Sequence, residues 1–337
     1  MSVDVYQERY LPLLEAELRN ALAGHDSLAR FYGMMQYHMG WLDADLKPIQ
    51  ASGGKRLRPL LCLLTCEAVG GQIKHALPAA AAIELLHNFS LIHDDIEDVS
   101  ATRRHRMTVW KLWGKAHGIN CGDGMFAAAF LSLAHLCDRG VPVERALDAQ
   151  RIVVETCLRL TEGQYLDMAF ETQMGVDMDG YLQMIGGKTA ALIACSARLG
   201  ALLGGASDEA IEAYAAFGQN LGLAFQVIDD ILGIWGREAE TGKSARADIL
   251  THKKTLPIVY VLHDADLRAF YAQDTLTERD VDRVLSILER HQAQAFAEQK
   301  AREYSELALH SLDQAGHGSL AHQALREYAL ALLGRSF

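Results

Sequence analysis

The sequence predicts an all-α fold, on three observations. Apolar residues recur at 3.6-residue spacing along nearly the whole chain, and extended alternation of β-branched residues is hard to find. The six prolines (Pro12, Pro48, Pro59, Pro78, Pro142, Pro257) mostly stand where such apolar runs begin, a place where a missing N–H is tolerated. No Ser/Gly/Pro-rich linker or low-complexity tract divides the runs, and half of the 337 residues are hydrophobic, enough for a sizeable core. A single helical domain over residues 1–337, with ten or so helices or more, is the expectation.

Taken in order, "LPLLEAELRNAL" is the first amphipathic run. The residues before it, "MSVDVYQERY", carry acids where a leader peptide would have basic residues and then an apolar core, and no uncharged apolar run reaches about 18 residues. A cytoplasmic protein without a membrane span is expected. "RPLLCLLTCEAV" follows and is closed by Gly70 and Gly71. "PAAAAIELLHNFSLI" opens a helix expected to run from Pro78 to about Asp98. "ERALDAQRIVVETCLRLTEG" and "SDEAIEAYAAFGQNLGLAFQVIDDIL" are long helices, and Gly204 and Gly205 close a run between them. From about residue 275 the chain becomes more charged and should form peripheral helices.

A formal charge of −11 with 32 Lys plus Arg argues against a nucleic-acid partner, because phosphate backbones are held by a surplus of basic groups. The basic side chains must serve something smaller. Cys62, Cys66, Cys121, Cys137, Cys157 and Cys195 lie in apolar contexts without a CxxC pair, so they read as core thiols, not zinc ligands or disulfides.

The stretch "SLIHDDIEDVSATRRHR" places Asp94, Asp95, Glu97 and Asp98 at the end of an apolar helix, immediately before Arg103, Arg104 and Arg106. Residues four apart share a helix face, so Asp94 and Asp98 stand side by side while Asp95 turns away. Their repulsion, and their opposition to the helix dipole, would be relieved by a hard cation; magnesium characteristically takes one or two carboxylates plus phosphate oxygens. A second acidic pair, Asp229 and Asp230, closes another apolar helix, and Gln164 and Asp167 lie between the two in "TEGQYLDMAF". Basic groups run in parallel: Lys55, Arg56 and Arg58 in "GGKRLRP", Lys188 in "GGKTA", Lys243 in "TGKSARAD", and Lys253 and Lys254. Two acidic clusters facing each other across a helical cavity, rimmed by basic residues, would hold magnesium-bound diphosphates beside an apolar wall suited to a hydrocarbon. "GREAETGKS" and "MIGGKT" are not P-loops: five residues separate Gly236 from Gly242, and Leu182 occupies the first glycine position of the other.

From about Gly53 to Pro257 this ordered series of motifs resembles the trans-isoprenyl diphosphate synthases. Their first aspartate-rich motif, DDxxD, is matched by Asp94, Asp95 and Asp98. The resemblance implies an all-α isoprenoid synthase bundle, usually a homodimer, that elongates an allylic diphosphate with isopentenyl diphosphate. It implies that Lys55, Arg58, His87 and Arg104 bind the homoallylic diphosphate and that Arg103, Lys188 and Lys253 bind the allylic one. Thr189, Gln226 and Lys243 match further positions of the pocket, with Lys188, Gln226, Lys243 and Lys253 carried over as catalytic. Asp94, Asp98 and Asp229 would be the main ligands of magnesium, three ions in all, with Asp167 close by. One departure stands out: the second DDxxD reads Asp229, Asp230, Ile231, Leu232, Gly233, so its third carboxylate is missing. Gly233→Asp is therefore expected to be tolerated or mildly activating.

The product is expected to be geranylgeranyl diphosphate, with farnesyl or longer polyprenyl diphosphates as alternatives. A tail growing from Asp94 would meet Ser90 and Phe89 about 6 to 7.5 Å down the helix, and the Phe89 ring would stop it. Similarity to geranylgeranyl-type synthases points the same way. Two rival readings are a class I terpene cyclase, which would carry an Asn/Ser/Glu motif in place of Gln226, Asp229 and Asp230, and a non-catalytic subunit of a heteromeric synthase.

Overall fold

The first helix, α1 (Val3–Ala21), already departs from the expected proline placement, because Pro12 lies inside it. The structure is a computed structural model that describes residues 3–49, 51, 54–236, 246–273, 275–316 and 318–334. Lys243, most of "GREAETGKS" and Gly53 lie outside the described residues. The chain divides into two compact units: Met1–Val154, Ser196–Ile211 and Gly318–Leu325 make up the first, and Glu155–Cys195, Glu212–His317 and Arg326–Phe337 the second.

In the first unit α2 (Ala29–His38), α3 (Leu57–Ala68) and α4 (Ile73–Glu97) precede a two-stranded antiparallel hairpin, β1 (Thr102–Arg103) with β2 (Arg106–Met107). Then come α5 (Val109–Trp113) and α6 (Lys115–Ala134). The central element is α4, packed on α6, α3 and α1. Its Ala76–Leu86 stretch is buried on every side, which explains the alanine run: a helix enclosed by others needs small side chains and no polar stripe. It begins five residues before the expected Pro78. At that depth the proline ring deprives only the Lys74 carbonyl of its N–H partner, a local loss that burial of Ala76 and Leu77 offsets. Asp98 is the C-cap residue of α4, its N–H donating to Asp94 O at 2.8 Å.

The N-terminus of α3 is set by a buried ion pair. Arg56, left-handed at φ 50°, donates from Nη1 to Glu84 Oε1 (2.7 Å) and from Nη2 to Glu15 Oε1 (2.9 Å). Burial pulls its guanidinium down, but the two carboxylates more than offset this, so Arg56 stays charged and serves the fold, not a basic rim.

Helix α7 (Val143–Thr172) passes from the first set of residues into the second. The second unit continues with α8 (Met178–Ile185), a π-turn (Gly186–Ala190), α9 (Ala191–Gly204) and α10 (Asp208–Trp235), of which the stretches from Ser196 to Ile211 belong to the first unit. Short helices α11 (Ala247–Leu250), α12 (Leu256–Val261) and α13 (Ala265–Tyr271) lead to α14 (Glu278–Arg290), α15 (Ala293–Gln314) and α16 (Leu320–Leu333). Asp177 caps α8 by accepting from Gly180 N at 2.9 Å, and Asp264 caps α13 by accepting from Asp266 N at 2.9 Å. The charged C-terminal stretch is amphipathic: α14 buries Val281, Val284, Ile287 and Leu288 in a cluster shared with Ile234 and Ile249. Among the described residues no helix is long and apolar enough to cross a membrane. All six cysteines are free thiols; Cys62, Cys66, Cys121 and Cys195 are buried and Cys157 half-buried, but Cys137, in a short turn after α6, is exposed and not a core thiol.

Candidate active site

The last turn of α4 separates its three aspartates as the helical period requires. Asp95 is buried and accepts from Arg103 Nε at 2.8 Å; burial raises its pKa while Arg103 opposes the rise. Asp94 is half-buried and Asp98 exposed, leaving these two, one turn apart, on the accessible side. The Arg103 guanidinium therefore anchors the motif before any ligand arrives.

The hairpin that follows presents the paired arginines. Arg104 and His105 are both left-handed (φ 51° and 60°), the backbone of a type I′ turn, which suits Gly or Asn better than these side chains. Arg104 is half-buried, desolvation lowers its pKa, and its Nη2 lies 2.9 Å from where a Cβ on Gly54 would stand. Gly54, next to Lys55, and Arg104 are thus neighbours. Arg58 Nη1 donates to His87 Nε2 at 3.4 Å. Because arginine can only donate, Nε2 is the acceptor and the imidazole N–H is on Nδ1. Burial, then the charges of Arg58, Arg104 and Arg103, holds the His87 pKa well below its ordinary value, so this histidine is neutral at pH 7. Lys55 is exposed. Arg106 is structural: it donates to Tyr37 O (2.9 Å) and Leu42 O (2.6 Å) and lies over the Tyr37 ring.

Sequence reasoning missed His38. It lines a cleft with Tyr37, Asp95, Arg103 and Arg104, and its Nε2 is enclosed without a hydrogen-bond partner. Burial and the nearby arginines lower its pKa well below the usual value. Nothing in the local pattern of α2 marks it, since a lone histidine on a helix is ordinary.

In the second unit an open cavity of about 540 Å³ gathers Asp167, Lys188, Thr189, Gln226, Asp229 and Lys253, all expected site residues, and adds Asp248 and Tyr181. Lys188 donates to the Asp167 carboxylate, so the two groups assigned to diphosphate and metal pair with each other. The π-turn sets Lys188 in place: a Cβ on Gly163 of α7 would lie 2.1 Å from Lys188 N, so only glycine admits this backbone approach. Thr189 Oγ1 donates to Gln226 Oε1 (2.7 Å), and Gln226 Nε2 donates to Asp230 Oδ1 (2.9 Å). Asp230 is buried and also accepts from Tyr181 Oη (2.6 Å) and Leu256 N (2.8 Å). Burial pushes its pKa up to about 7, against the pull of those hydrogen bonds. Both aspartates border the cavity, but Asp230 is buried and ties α10 to α8 and α12, whereas Asp229 is exposed beside the lysines. Lys254 also borders the cavity but is buried, its ammonium over the Tyr271 ring at 4.7 Å.

Among the described residues no three His, Cys, Asp or Glu side chains converge closely enough to hold a metal ion by themselves. The donor chemistry nonetheless fits a hard cation that arrives with diphosphate oxygens: carboxylates only, beside ammonium groups for the remaining negative charge.

The polyprenyl synthetase family model matches residues 39–288. The chain is 46% identical over 231 residues to a (2E,6E)-farnesyl diphosphate synthase of Mycobacterium tuberculosis, covering 68% of this chain and 62% of that protein. It is 42% identical over 277 residues to a geranylgeranyl diphosphate synthase of the same organism, covering 79% and 78%. Thus the match spans less than two thirds of the first relative's length. The crystal structure of a polyprenyl synthetase from Streptomyces coelicolor superposes with a TM-score of 0.89 at 33% identity, over 98% of this chain and all of that one. The chain belongs to the polyprenyl synthetase family.

Proposed function

We propose that the chain is a short-chain trans-prenyl diphosphate synthase, condensing isopentenyl diphosphate with an allylic diphosphate by 1′-4 head-to-tail elongation to give geranylgeranyl diphosphate as main product. The observation that carries this reading is the mixed lining of the second-unit cavity, with Asp167 and Asp229 interleaved with Lys188 and Lys253. A bare anion would want only the lysines and a bare cation only the aspartates. A metal-bound diphosphate wants both.

Asp94, Asp98 and Asp229 would hold magnesium, which when bound to the diphosphate neutralises its charge and favours its departure. Lys188 and Lys253 bind the anionic oxygens of the allylic group, and the Thr189–Gln226–Asp230 chain of hydrogen bonds fixes the orientation of the polar side chains around them. Isopentenyl diphosphate is held by Lys55, Arg58, Arg104 and His87, whose neutral ring gives Nδ1–H as a donor while Nε2 stays with Arg58. The allylic C–O bond breaks, its electron pair leaving with pyrophosphate, and the double bond of isopentenyl diphosphate attacks the resulting carbocation. A new C–C bond forms and the released pyrophosphate takes the proton that restores the double bond. No side-chain nucleophile is needed. Both units are read as one synthase domain, which the reach of the family match over residues 39–288 supports.

The twenty-carbon product rests on Phe89 of α4, whose ring packs edge-on against Phe126 of α6 at 5.1 Å, beside Ser90. A homodimer is the proposed assembly, supported by exposed apolar side chains along α7. Incubating the purified chain with labelled isopentenyl diphosphate, separate allylic primers and magnesium tests the reading: elongated linear diphosphates are expected. Cyclic hydrocarbons, or no product from any primer, would overturn it.

A further inference from the structure

We propose that Asp248 replaces the carboxylate missing from the second acidic motif, and that position 233 is glycine in order to seat it, so that Asp229 and Asp248 together hold one diphosphate-borne divalent cation. The inference rests on the synthase reading above and concerns how this chain completes a ligand set that its own α10 leaves short.

Gly233 lies one turn beyond Asp229 on α10, on the face where a further acid would share a cation with it. A Cβ built on Gly233 would stand 1.9 Å from Asp248 Oδ2 and 2.8 Å from its Cγ. The space in which any side chain at 233 would begin is therefore filled by a carboxylate reaching in from α11. A side chain at 233 would have to move the Asp248 carboxylate aside and would not add to an empty corner. Asp248 lines the same cavity as Asp229, Lys188 and Lys253. Its own position is fixed from both sides. The neighbouring Ile249 is fully buried in the cluster that includes Ile234, and Arg246 donates from Nη1 to Asp282 at 2.7 Å. Lys253 N donates to Asp248 O at 2.9 Å, closing the turn that carries the cavity lysine. One backbone segment thus delivers a carboxylate and an ammonium to the same wall.

Magnesium keeps several waters and takes one or two carboxylates alongside phosphate oxygens, so Asp229 with Asp248 is a sufficient protein contribution and a third acid at 233 is unnecessary. The sequence signal was present but distant. Asp248 stands in "TGKSARAD", fifteen residues after Gly233, and only the fold brings its carboxylate to that glycine.

The test is calorimetric titration of MgCl2 into the full-length protein with inorganic pyrophosphate, together with metal-free melting curves. Asp248→Asn should raise the half-saturating magnesium concentration about 10- to 100-fold while leaving the metal-free melting temperature near that of the wild type. Gly233→Ala should do the same by pushing Asp248 aside, although alanine is the better helix former. Because both changes act through one carboxylate, the double variant should bind no more weakly than either single one. Wild-type magnesium dependence in Asp248→Asn would overturn the proposal, as would full additivity in the double variant. A wild-type protein that binds pyrophosphate at no magnesium concentration would overturn the synthase reading itself, and so separates the two failures.

Discussion

Adjacent aspartates in each acidic pair differ in burial, and burial separates a structural member from a candidate metal ligand. Asp95 and Asp230 are buried and held by protein donors, whereas Asp94 is half-buried and Asp98 and Asp229 are exposed. Asp98→Asn should therefore leave the circular dichroism and melting temperature unchanged while lowering kcat/KM at least about 100-fold; wild-type turnover at saturating magnesium would remove Asp98 from the ligand set. Asp95→Ala should instead lower stability by about 1–3 kcal/mol in urea unfolding, because Arg103 loses its buried acceptor. Asp230 gives a pH signature. Its folded-state pKa of about 7 lies above the ordinary value of 3.8, so the folded protein holds a proton that the unfolded chain releases. Stability from this group is fully present below about pH 4 and is lost as pH rises through about 7. In metal-free buffer the melting-temperature advantage of the wild type over Asp230→Asn should narrow between pH 5 and pH 8; a gap that widens with pH would contradict the assignment.

At the scale of elements, the proposed function puts both the first acidic motif and the length control on α4. Phe89 packs edge-on with His93 (5.2 Å) and Phe126 (5.1 Å), and Phe126 with Phe130 (4.9 Å), so Phe89 belongs to a ladder of rings shared between α4 and α6. Phe89→Ala should shift the dephosphorylated products toward longer chains on reversed-phase chromatography. Phe89→Ala with Phe126→Ala should shift them further, since the second ring remains behind the first. An unchanged distribution in the double variant would place the floor elsewhere. The helix, its acidic end and Phe89 were all legible in the sequence because each depends on spacing within one element. The start of α4 was not, because tertiary burial carries the helix past Pro78. Arg56 and Arg106 looked like rim charges, and their buried partners Glu84 and the Tyr37 carbonyl lie far away in sequence. His38 and Asp248 were overlooked for the same reason: their significance is a contact between elements, which periodicity does not encode.

For the whole molecule, the feature left over after the core and the cavity are accounted for is the outer face of α7. Val143, Leu147, Val154, Leu158, Tyr165 and Met168 are all exposed, at spacings of three, four and seven residues that align them along one side of the helix. Single exposed apolar residues are common, but a repeated row over a helix of 30 residues is the pattern of a surface that another helix covers. Leu131 and Ile119 of α6 are exposed as well. A second copy of the same chain is the expected occupant. A net charge of −11 disfavours bringing two copies together, so the contact must be supplied by apolar area and not by general electrostatic attraction. Light scattering coupled to gel filtration should then give twice the chain mass of 37.1 kDa for the wild type. Leu147→Glu combined with Leu158→Glu should give the monomer mass with unchanged helix content, because both side chains already face outward and the substitution alters only what can pack on them. A wild-type protein that elutes as a monomer at micromolar concentration would exclude this face as a homodimer contact. A double variant that remains dimeric would move the interface to another surface.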